Sequence, residues 1–460
     1  MNSYRAKHQR PTNSYRANPY RARAARGGQV FGATLLLIAL LAWLVYHVYN
    51  IVRDIDNKGT IPWVWDFAFL FLLAEMLLCF AERPFRTSKA QDLDLARGKL
   101  VVNVPIYNED PAALRECLRS IIQQTRPPDT IHSVDDGSKL DYCEVEDWFN
   151  FAASEAGIKA CWERKPNGGK RSAQGRTIRR FPDADYVLTV DSDAILDPDA
   201  VKEGLKPFAD PRVQSVAGVI MVSNRTRNLL TIMTDFWFVI GQMVDRSAYS
   251  AVGGVLVNSG ALAFYRGSLL RKYCDGYLNE TFAGRRIEFS DDSLLTVYAL
   301  AEGKAVQQPT SFAFTLMPER YSHHVRQYVR WMRGAFIRSF WRFKYLPLSG
   351  AAYWMHFLGW VQMFLSTATF AILFVWTPIL APQVLPIFLM IPLLVGYGLG
   401  LRYFTIKRDD MTLGAQFRVW LLTPVVVLYG FFVLRIIRFY SIATCLRTGW
   451  GTRSEVEVSQ

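Results

Sequence analysis

The chain of 460 residues carries a net charge of +13, 51% hydrophobic residues and six scattered cysteines without paired spacing. The cysteine spacing implies neither a disulfide framework nor a zinc site, and it predicts a reduced, cytosolic central domain. The length allows two or three ordinary domains. Long runs almost free of charge occupy 31–80 and 354–434, whereas residues 100–320 carry frequent charges. This distribution indicates a soluble domain between two membrane regions.

The first 28 residues are basic and repetitive. They contain seven lysines and arginines and no acid, and the segment NSYRA occurs at 2–6 and again at 13–17. Such a composition predicts a short disordered tail over residues 1–28. A nucleic-acid-binding arm has the same composition, but a cytosolic flank held near anionic lipid explains it more simply. We therefore expect no nucleic-acid partner.

Five apolar runs approach or exceed the length of about 20 residues that a membrane-spanning helix needs. The runs lie at 30–52, 61–81, 353–376, 384–401 and 419–434. They predict two transmembrane helices within 29–82 and a C-terminal transmembrane region over 351–446. Buried core helices are the alternative, but tryptophan and tyrosine near the ends of the runs favour the bilayer. The first run is longer than a signal peptide and lacks a cleavage site, so a retained anchor in a multi-pass plasma-membrane protein is expected.

Residues 98–318 alternate between strand and helix patterns. The segments 99–107, 130–138 and 186–193 read as strands, and 111–125 reads as a helix with one apolar face. Alternation of this kind predicts an α/β domain with a mainly parallel sheet, which binds its ligands at the carboxyl ends of the strands. Acid pairs stand at two of those ends.

Asp191 and Asp193 follow the third of these strands, with only Ser192 between them. Two carboxylates at this spacing repel each other unless a positive charge lies between them. A loop of turn-forming acids is one interpretation. The other is a site for Mg²⁺ or Mn²⁺, which prefer carboxylate and phosphate oxygens as ligands. In that case the ion is shared with the diphosphate of a nucleotide.

Other polar residues follow the neighbouring strands. Asp135 and Asp136, in the segment VDDGS, could accept hydrogen bonds from a base NH or a ribose hydroxyl, although an Asp-Asp-Gly turn is common. Tyr107 and Glu109, in the segment VPIYNED, close the first strand. We expect all four side chains to line the same crevice.

Two further charged segments complete the candidate site. In the glycine-rich loop at 164–171, Lys170 and Arg171 suit phosphate oxygens, and a solvated basic loop is the alternative. Asp291 and Asp292 open an apolar helical run. Helix capping explains one of these acids, and the other is a candidate general base, which must reach an acceptor hydroxyl.

An amphipathic stretch over 319–350 is predicted to form helices at the membrane interface. Gln327, Arg330 and Trp331 share one face of such a helix, because they stand three and four residues apart. The planar indole suits a sugar ring, and the guanidinium suits a phosphate. An interfacial helix with a basic stripe and no substrate contact is the alternative.

The segments VDDGS, DSD, SDD and Q-x-x-R-W, in this order, resemble the family-2 inverting, membrane-embedded processive glycosyltransferases. That family includes hyaluronan, chitin, chitooligosaccharide and cellulose synthases. The resemblance covers roughly residues 60–453. It implies a cytosolic GT-A-like nucleotide-sugar domain, inserted between N-terminal and C-terminal transmembrane helices.

The resemblance also implies a role for each motif. Asp135 and Asp136 would bind the uridine base, and Asp191 and Asp193 would hold the metal and the nucleotide diphosphate. Asp292 would be the general base. The Q-x-x-R-W segment would form a lid over the diphosphate and the acceptor.

Residues 447–460 contain the segment TGWGTR. It resembles the W-G-T-[RK] loop that hyaluronan and chitin synthases fold over the nucleotide, whereas cellulose synthases use a different loop. The resemblance therefore implies a gating loop in which Trp450, Thr452 and Arg453 contact the substrate.

The implied function is polymerisation of UDP-GlcNAc and UDP-GlcA, with transfer of the growing polysaccharide across the plasma membrane. The segment VNSGALAFYRG resembles the C-S-G-P-L segment of hyaluronan synthases, but Asn258 replaces the cysteine and Ala261 the proline. Chitooligosaccharide, poly-N-acetylglucosamine or another β-glucan is therefore the alternative product. Two other classes remain open, a lipid-linked transferase of single sugars and a non-enzymatic transporter.

Membrane topology constrains the C-terminal end. Nucleotide sugars are cytosolic. Four arginines near this end predict that it lies on the same side, namely Arg435, Arg438, Arg447 and Arg453. Three simple spans after the catalytic domain would place it outside. One late segment is therefore expected to re-enter or to lie in the interface, with Pro424 and Gly430 as candidate break points.

Overall fold

The computed structural model describes residues 20–24, 77–380, 382 and 385–447, together with single positions between 31 and 74. Most of the predicted basic tail and of the first two predicted spans lies outside the described residues. The same holds for Trp450, Thr452 and Arg453 of the predicted gating loop.

An eight-stranded sheet forms the centre of the domain, in the order β4-β3-β2-β5-β8-β7-β11-β6. Its strands are β2 (Leu100–Ile106), β3 (Thr130–Asp135), β4 (Lys159–Arg164), β5 (Tyr186–Thr189), β6 (Ile195–Leu196), β7 (Val213–Val222), β8 (Ala263–Arg266) and β11 (Lys304–Thr315). Four strand pairs are parallel and three are antiparallel. The sheet is therefore mixed, because β8 runs antiparallel between β5 and β7.

Helices cover both faces of this sheet. They are α1 (Lys89–Arg97), α2 (Pro111–Ile122), α3 (Cys143–Glu155), α4 (Lys170–Arg180), α5 (Ala200–Leu205), α6 (Leu229–Gly241), α7 (Ser247–Ala251), α8 (Gly267–Leu278) and α9 (Asp291–Glu302). Between α8 and α9 lies a small hairpin, β9 (Thr281–Phe282) and β10 (Arg285–Arg286). A π-helical segment, Gln242–Arg246, joins α6 to α7.

The start of α2 shows how local sequence sets an element. Asp110 caps the helix by accepting a hydrogen bond from the Ala112 N–H, and Pro111 occupies the first helical turn, where no N–H is needed. Leu114 and Leu118 on its apolar face are fully buried against the sheet. This packing fixes the carboxyl ends of β2 and β5 on one edge of the domain.

The C-terminal part of the chain is helical. Its helices are α10 (Tyr321–Tyr345), α11 (Ala351–Ala371), α12 (Thr377–Leu380), α13 (Leu385–Gly400), α14 (Leu413–Trp420), α15 (Thr423–Tyr429) and α16 (Arg435–Ala443). Within the described residues, the stretch Thr423–Ala443 is long and apolar enough to cross a membrane, with a mean hydropathy of 1.9. No other described helix meets that criterion.

The expected break points do not interrupt this stretch. Pro424 lies in the first turn of α15, where a missing N–H costs nothing. Gly430 begins a π-helical segment, Gly430–Leu434, through which the helix continues into α16.

A two-stranded sheet joins the N-terminal segment to the C-terminal part. β1 (Ala22–Ala24) pairs antiparallel with β12 (Ile406–Arg408). The expectation of disorder over the whole of residues 1–28 is therefore wrong for this part of the tail. Composition alone does not reveal that a partner strand exists.

Glu280 connects α10 to the catalytic domain. Its buried carboxylate accepts hydrogen bonds from Arg338 (2.8 Å) and from the Trp341 indole (2.7 Å), both on α10. It also pairs with Arg171 of α4 at 2.8 Å. Arg338 also donates a hydrogen bond to the carbonyl oxygen of Ser290 (3.1 Å), directly before α9. One acid thus fixes three helices around the same edge of the sheet.

We predict that Glu280→Gln lowers the free energy of unfolding by about 3–5 kcal/mol, because it leaves buried guanidinium groups without their carboxylate. The measurement is denaturant unfolding followed by tryptophan fluorescence. Glu302→Gln is the matched control, since Glu302 is exposed and pairs with the exposed Lys272, and such pairs contribute about 0–1 kcal/mol. Equal stability of the two variants would contradict the role assigned to Glu280.

Candidate active site

A cleft of about 1220 Å³ opens between the carboxyl ends of β2, β3 and β5 and the helix α10. Ten of the residues predicted from sequence line it, namely Tyr107, Asp136, Lys170, Asp191, Asp193, Asp291, Asp292, Gln327, Arg330 and Trp331. These residues come from segments more than 200 positions apart in the chain. The fold therefore brings the separate motifs into one site.

Lys170 lies among the acids of the cleft. Its Nζ is 2.6 Å from Asp191 Oδ1 and 3.3 Å from Asp291 Oδ2. Desolvation would lower the pKa of Lys170, but the two carboxylates outweigh it and raise the pKa above its ordinary value. A Cβ at Gly260 would lie 3.1 Å from the same Nζ, so a glycine leaves room for this lysine. In this structure, the positive charge beside Asp191 is a side chain.

Asp291 and Asp292 begin α9, and their pKa values are shifted in opposite directions. Desolvation raises the pKa of both groups, but Lys170 and Arg171 bring the pKa of Asp291 below its ordinary value. For Asp292, desolvation and repulsion from Asp291 raise the pKa to about 6. Its carboxylate accepts hydrogen bonds from the Ser293 N–H (2.6 Å) and the Gly260 N–H (3.3 Å). Asp292 is therefore poised to exchange a proton near neutral pH.

Helix α10 approaches the start of α9 closely. Ser290 adopts a left-handed conformation with φ of 59°, which is uncommon for a residue other than glycine. Gly334 of α10 faces it, and a Cβ there would lie 2.5 Å from Ser290 Cβ. The close approach brings Gln327, Arg330 and Trp331 of the same helix to the cleft.

The aromatic side of the cleft is formed by Trp331 and Phe238, whose ring centroids lie 5.7 Å apart. Both residues line the cleft. A rigid indole supported by a second ring offers a flat face of the kind that sugar rings contact. Contact of Trp331 with an acceptor sugar remains a prediction.

Asp136 and Asp135 have different positions. Asp136 accepts hydrogen bonds from the Gly168 N–H (2.9 Å) and the Gly169 N–H (2.7 Å), and it also pairs with Lys165. These contacts hold the glycine-rich loop in place at the edge of the cleft. Asp135 is buried behind it, accepts from the Ser138 N–H (2.9 Å) and does not line the cleft.

Two further residues with predicted substrate contact, Arg171 and Glu109, are not among the residues that line the cleft. The Arg171 guanidinium is buried, pairs with Glu280 and donates to the Phe289 carbonyl oxygen at 2.7 Å, so it does not face the cleft. Glu109 is also buried and accepts a hydrogen bond from Ser192 Oγ at 2.8 Å. Ser192 stands between the two cleft aspartates. Both residues thus support the site from behind.

Asp191 and Asp193 present hard oxygen ligands at the cleft wall. Asp193 Oδ1 accepts a hydrogen bond from Thr315 Oγ1 at 3.2 Å. In the described part of the chain, no group of three or more His, Cys, Asp or Glu side chains could hold a metal ion. Two carboxylates fit Mg²⁺ or Mn²⁺ when phosphate oxygens and water complete the coordination. The donor types therefore match an ion that arrives with a nucleotide.

Arg246 is a cleft residue that the sequence motifs did not indicate. Its guanidinium donates to Ser259 Oγ (2.7 Å), to the Gly218 carbonyl oxygen (3.2 Å) and to Gln242 Oε1 (3.2 Å). Desolvation lowers the pKa of Arg246 to about 10, although Asp292 opposes the shift. In the sequence, Arg246 directly follows Asp245 at the end of a mainly apolar segment, and no motif there marks it as a site residue.

The end of α16 lies beside the cleft. Arg333 of α10 donates to Thr444 Oγ1 at 2.9 Å, and Arg285 of β10 donates to the Leu446 carbonyl oxygen at 2.8 Å. Arg286, the neighbour of Arg285, lines the cleft. The chain immediately before residue 448 is therefore on the same side as the active site.

Comparison with known proteins agrees with this site. Residues 97–334 match the family model described as glycosyltransferase like family 2. Hyaluronan synthase of Streptococcus pyogenes serotype M1 is 32% identical over 434 residues, which cover 93% of this chain and 99% of that protein. An N-acetylglucosaminyltransferase of Azorhizobium caulinodans is 36% identical over 239 residues, or 51% of this chain and 59% of that protein.

A solved structure shares the fold. The mannosyltransferase PcManGT of Pyrobaculum calidifontis, in complex with GDP-Man and Mn²⁺, has a TM-score of 0.51 and 17% sequence identity. The match covers 91% of this chain and 100% of that one. The domain is thus a GT-A-like α/β fold with a mixed sheet.

The chain belongs to glycosyltransferase family 2. It is an enzyme of that family and a homologue of hyaluronan synthases over nearly its whole length. The family resemblance deduced from the four motifs is confirmed.

We predict that the transfer rate rises from about pH 5 to pH 7, because Asp292 must be deprotonated to act as a base and its pKa is about 6. Asp292→Asn should lower turnover by about 10²–10⁴-fold and abolish this pH dependence, while UDP affinity by calorimetry stays near that of the parent. Asp275→Asn, at an exposed surface position, is the control. A parallel collapse of UDP affinity would identify Asp292 as a nucleotide ligand.

Proposed function

We propose that the protein is a processive, inverting glycosyltransferase that polymerises UDP-GlcNAc and UDP-GlcA into a hyaluronan-type polysaccharide and passes it across the plasma membrane. One observation carries the catalytic part of this proposal. A single cleft contains two acids, Asp191 and Asp193, with Lys170 paired to Asp191. The same cleft contains a separate carboxylate, Asp292, whose pKa is about 6. The first suits a leaving diphosphate, and the second suits an acceptor hydroxyl.

The proposed reaction is a direct displacement. The acceptor hydroxyl gives its proton to Asp292 as its oxygen attacks the anomeric carbon of the donor sugar. The bond between that carbon and the diphosphate breaks, and its electron pair leaves with UDP. Lys170 and Arg330 line the same cleft and offer positive charge to the departing oxygens. Asp191 and Asp193 would hold Mg²⁺ or Mn²⁺, which supplies further positive charge to the diphosphate.

Binding of the nucleotide is assigned to the other end of the cleft. Tyr107, Asp136 and Lys139 lie there, beside the loop that contains Gly168 and Gly169. Asp136 already orders that loop through two backbone N–H groups. Closure by Trp450, Thr452 and Arg453 remains a prediction, since these residues lie outside the described part. The position of Leu446 near β10 supports it.

Arg246 supports an acidic sugar as one of the substrates. It is a half-buried cation in the cleft, and its hydrogen bonds within the described residues reach only neutral groups. A cation removed from bulk water is stabilised best by an opposite charge. Asp292 and Glu82 already act on Arg246 electrostatically, and the carboxylate of a hexuronate would add a direct ion pair close to Asp292.

A membrane location is supported by exposed apolar side chains on the C-terminal helices. They include Trp354, Phe357, Phe364, Ile436 and Phe439. Such a surface favours contact with lipid. We propose that these helices and the two predicted N-terminal spans cross the bilayer, with the catalytic domain in the cytosol beside its nucleotide-sugar donors.

A second candidate is a synthase of chitooligosaccharide, poly-N-acetylglucosamine or another β-glucan. The Azorhizobium caulinodans relative is an N-acetylglucosaminyltransferase. Asn258 and Ala261 also depart from the hyaluronan synthase pattern quoted above. A lipid-linked transfer of one sugar is a third possibility, which the size of the product distinguishes.

The product decides between these candidates. Purified protein is incubated with radiolabelled UDP-GlcNAc, UDP-GlcA or both. We expect a polymer only with both donors, and we expect hyaluronan lyase but not chitinase to degrade it. A chitinase-sensitive polymer from UDP-GlcNAc alone would establish the second candidate. A labelled product of single-sugar size that extracts into organic solvent would establish the third.

The same assay tests the role of Arg246. Arg246→Met should lower UDP release from UDP-GlcA by about 10–100-fold, because one charge-assisted interaction is lost, and should affect UDP-GlcNAc much less. Arg286→Met is the matched control, since Arg286 also lines the cleft but lies on the exposed hairpin. Equal losses with both donors in Arg246→Met would contradict a carboxylate contact.

Metal dependence is predicted from Asp191 and Asp193. Dialysis against a chelator should abolish UDP release, and Mg²⁺ or Mn²⁺ should restore it. Asp193→Asn should remain nearly inactive at any metal concentration, because a charged ligand is lost. Asp199→Asn, at an exposed acid six residues further on, should behave like the parent. Full activity of the dialysed parent in chelator would overturn the metal assignment.

A further inference from the structure

The N-terminal strand β1 contacts two elements at once. Beside its pairing with β12, the Arg21 carbonyl oxygen accepts a hydrogen bond from the Asp409 N–H at 2.9 Å. On the other side, the Ala22 N–H donates to Asp197 Oδ2 of the catalytic domain at 3.0 Å, and both groups are buried. The strand therefore lies between the catalytic domain and the segment that follows α13.

Asp197 stands directly after β6, and β6 begins two residues after Asp193. Besides the Ala22 N–H, Asp197 Oδ1 accepts from the Asp199 N–H at 2.9 Å. The Ala22 contact therefore anchors the far end of the short strand that follows the predicted metal ligand Asp193. Because β6 has only two residues, a displacement of Asp197 would also displace Asp193.

A second contact reaches Asp193 from the opposite direction. The Tyr20 ring packs on Phe314 of β11, with 5.1 Å between the ring centroids. Phe314 pairs with Ile195 of β6. The next residue, Thr315, donates its hydroxyl hydrogen bond to Asp193 Oδ1. Tyr20 thus supports the strand that holds Asp193 in place.

The partner strand β12 is rigidly attached to the same domain. Arg408 forms a buried ion pair with Asp235 of α6 at 2.8 Å, and its guanidinium lies 5.5 Å from the centre of the Phe314 ring. A second pair links Arg225 to Asp410 at 3.1 Å. β1 is therefore held against a fixed surface, so its own position can determine the position of Asp193.

We infer that residues 20–24 are a positioning element for the metal-binding acids, through Asp197 on one side and Phe314 on the other. The inference rests on the proposed role of Asp191 and Asp193. Residues 20–24 do not line the cleft. Their contribution is to hold Asp193 where a cation bound with UDP can reach it, so their loss should weaken metal binding more than it slows turnover at saturating metal.

The test measures Mn²⁺ binding in the presence of UDP, by the electron paramagnetic resonance signal of free Mn²⁺. Ala22→Pro removes the N–H that reaches Asp197 and disturbs the strand pairing. We expect its Mn²⁺ dissociation constant to rise on the order of five-fold, because one buried hydrogen bond is lost, with turnover at saturating Mn²⁺ near that of the parent. Arg23→Ala, on the exposed face of the strand, should bind Mn²⁺ like the parent.

A second pair of variants tests the position of the strand independently of folding. Tyr20→Ala should weaken Mn²⁺ binding in the same way. Adding Arg23→Cys and Lys407→Cys places two thiols directly opposite each other on exposed positions of the paired strands, at a spacing compatible with a disulfide. Oxidation should restore the Mn²⁺ affinity, and a reductant should remove the gain.

The outcomes distinguish a failure of the proposed metal site from a failure of the inference about residues 20–24. If the parent binds no Mn²⁺ with UDP, the metal role of Asp191 and Asp193 is wrong and the inference falls with it. If the parent binds Mn²⁺ but Tyr20→Ala binds it equally well, only the inference is overturned. An affinity that does not change on oxidation of the cysteine pair would also overturn it.

Discussion

The buried carboxylate of Glu280 joins the parts of the active site that come from distant regions of the chain. It binds Arg171 of the helix after the glycine-rich loop, and it binds Arg338 and Trp341 of α10. Arg338 also holds the turn at Ser290 from which α9 begins. The acids of α9, the start of α4 and the helix α10 therefore share one electrostatic anchor. A buried acid can serve in this way only because cationic donors compensate its desolvation.

Two neighbouring acids of the cleft have different surroundings and therefore different pKa values. Asp291 lies beside Lys170, which holds its pKa below the ordinary value, whereas desolvation and the neighbouring charge of Asp291 raise the pKa of Asp292 to about 6. Two adjacent carboxylates of the same type can thereby take different roles. Asp191 contacts the same lysine from the other side. This division of charge suits the proposed reaction, in which one cleft receives an anionic leaving group and accepts a proton.

Several supporting contacts belong to residues whose sequence pattern suggested direct substrate binding. Arg171 follows Lys170 in the first turn of α4, yet its side chain points inward to Glu280, because neighbouring helical residues point in different directions. Glu109 holds the turn between the two cleft aspartates through Ser192. Arg246 shows the converse, since it reaches the cleft from an apolar stretch that carries no recognised motif. Which of two adjacent polar residues faces a ligand depends on packing.

The sequence by itself determined the family, the alternation of strands and helices and the acid motifs at the strand ends, because these are local properties of composition and spacing. The start of α2 at Asp110 and Pro111 is an example. The tertiary structure alone decided that β8 makes the sheet mixed, and that residues 22–24 of a basic tail pair with β12. Each of these features depends on a partner far away in the chain, and the free energy that selects it comes from burial and hydrogen bonds that exist only after folding.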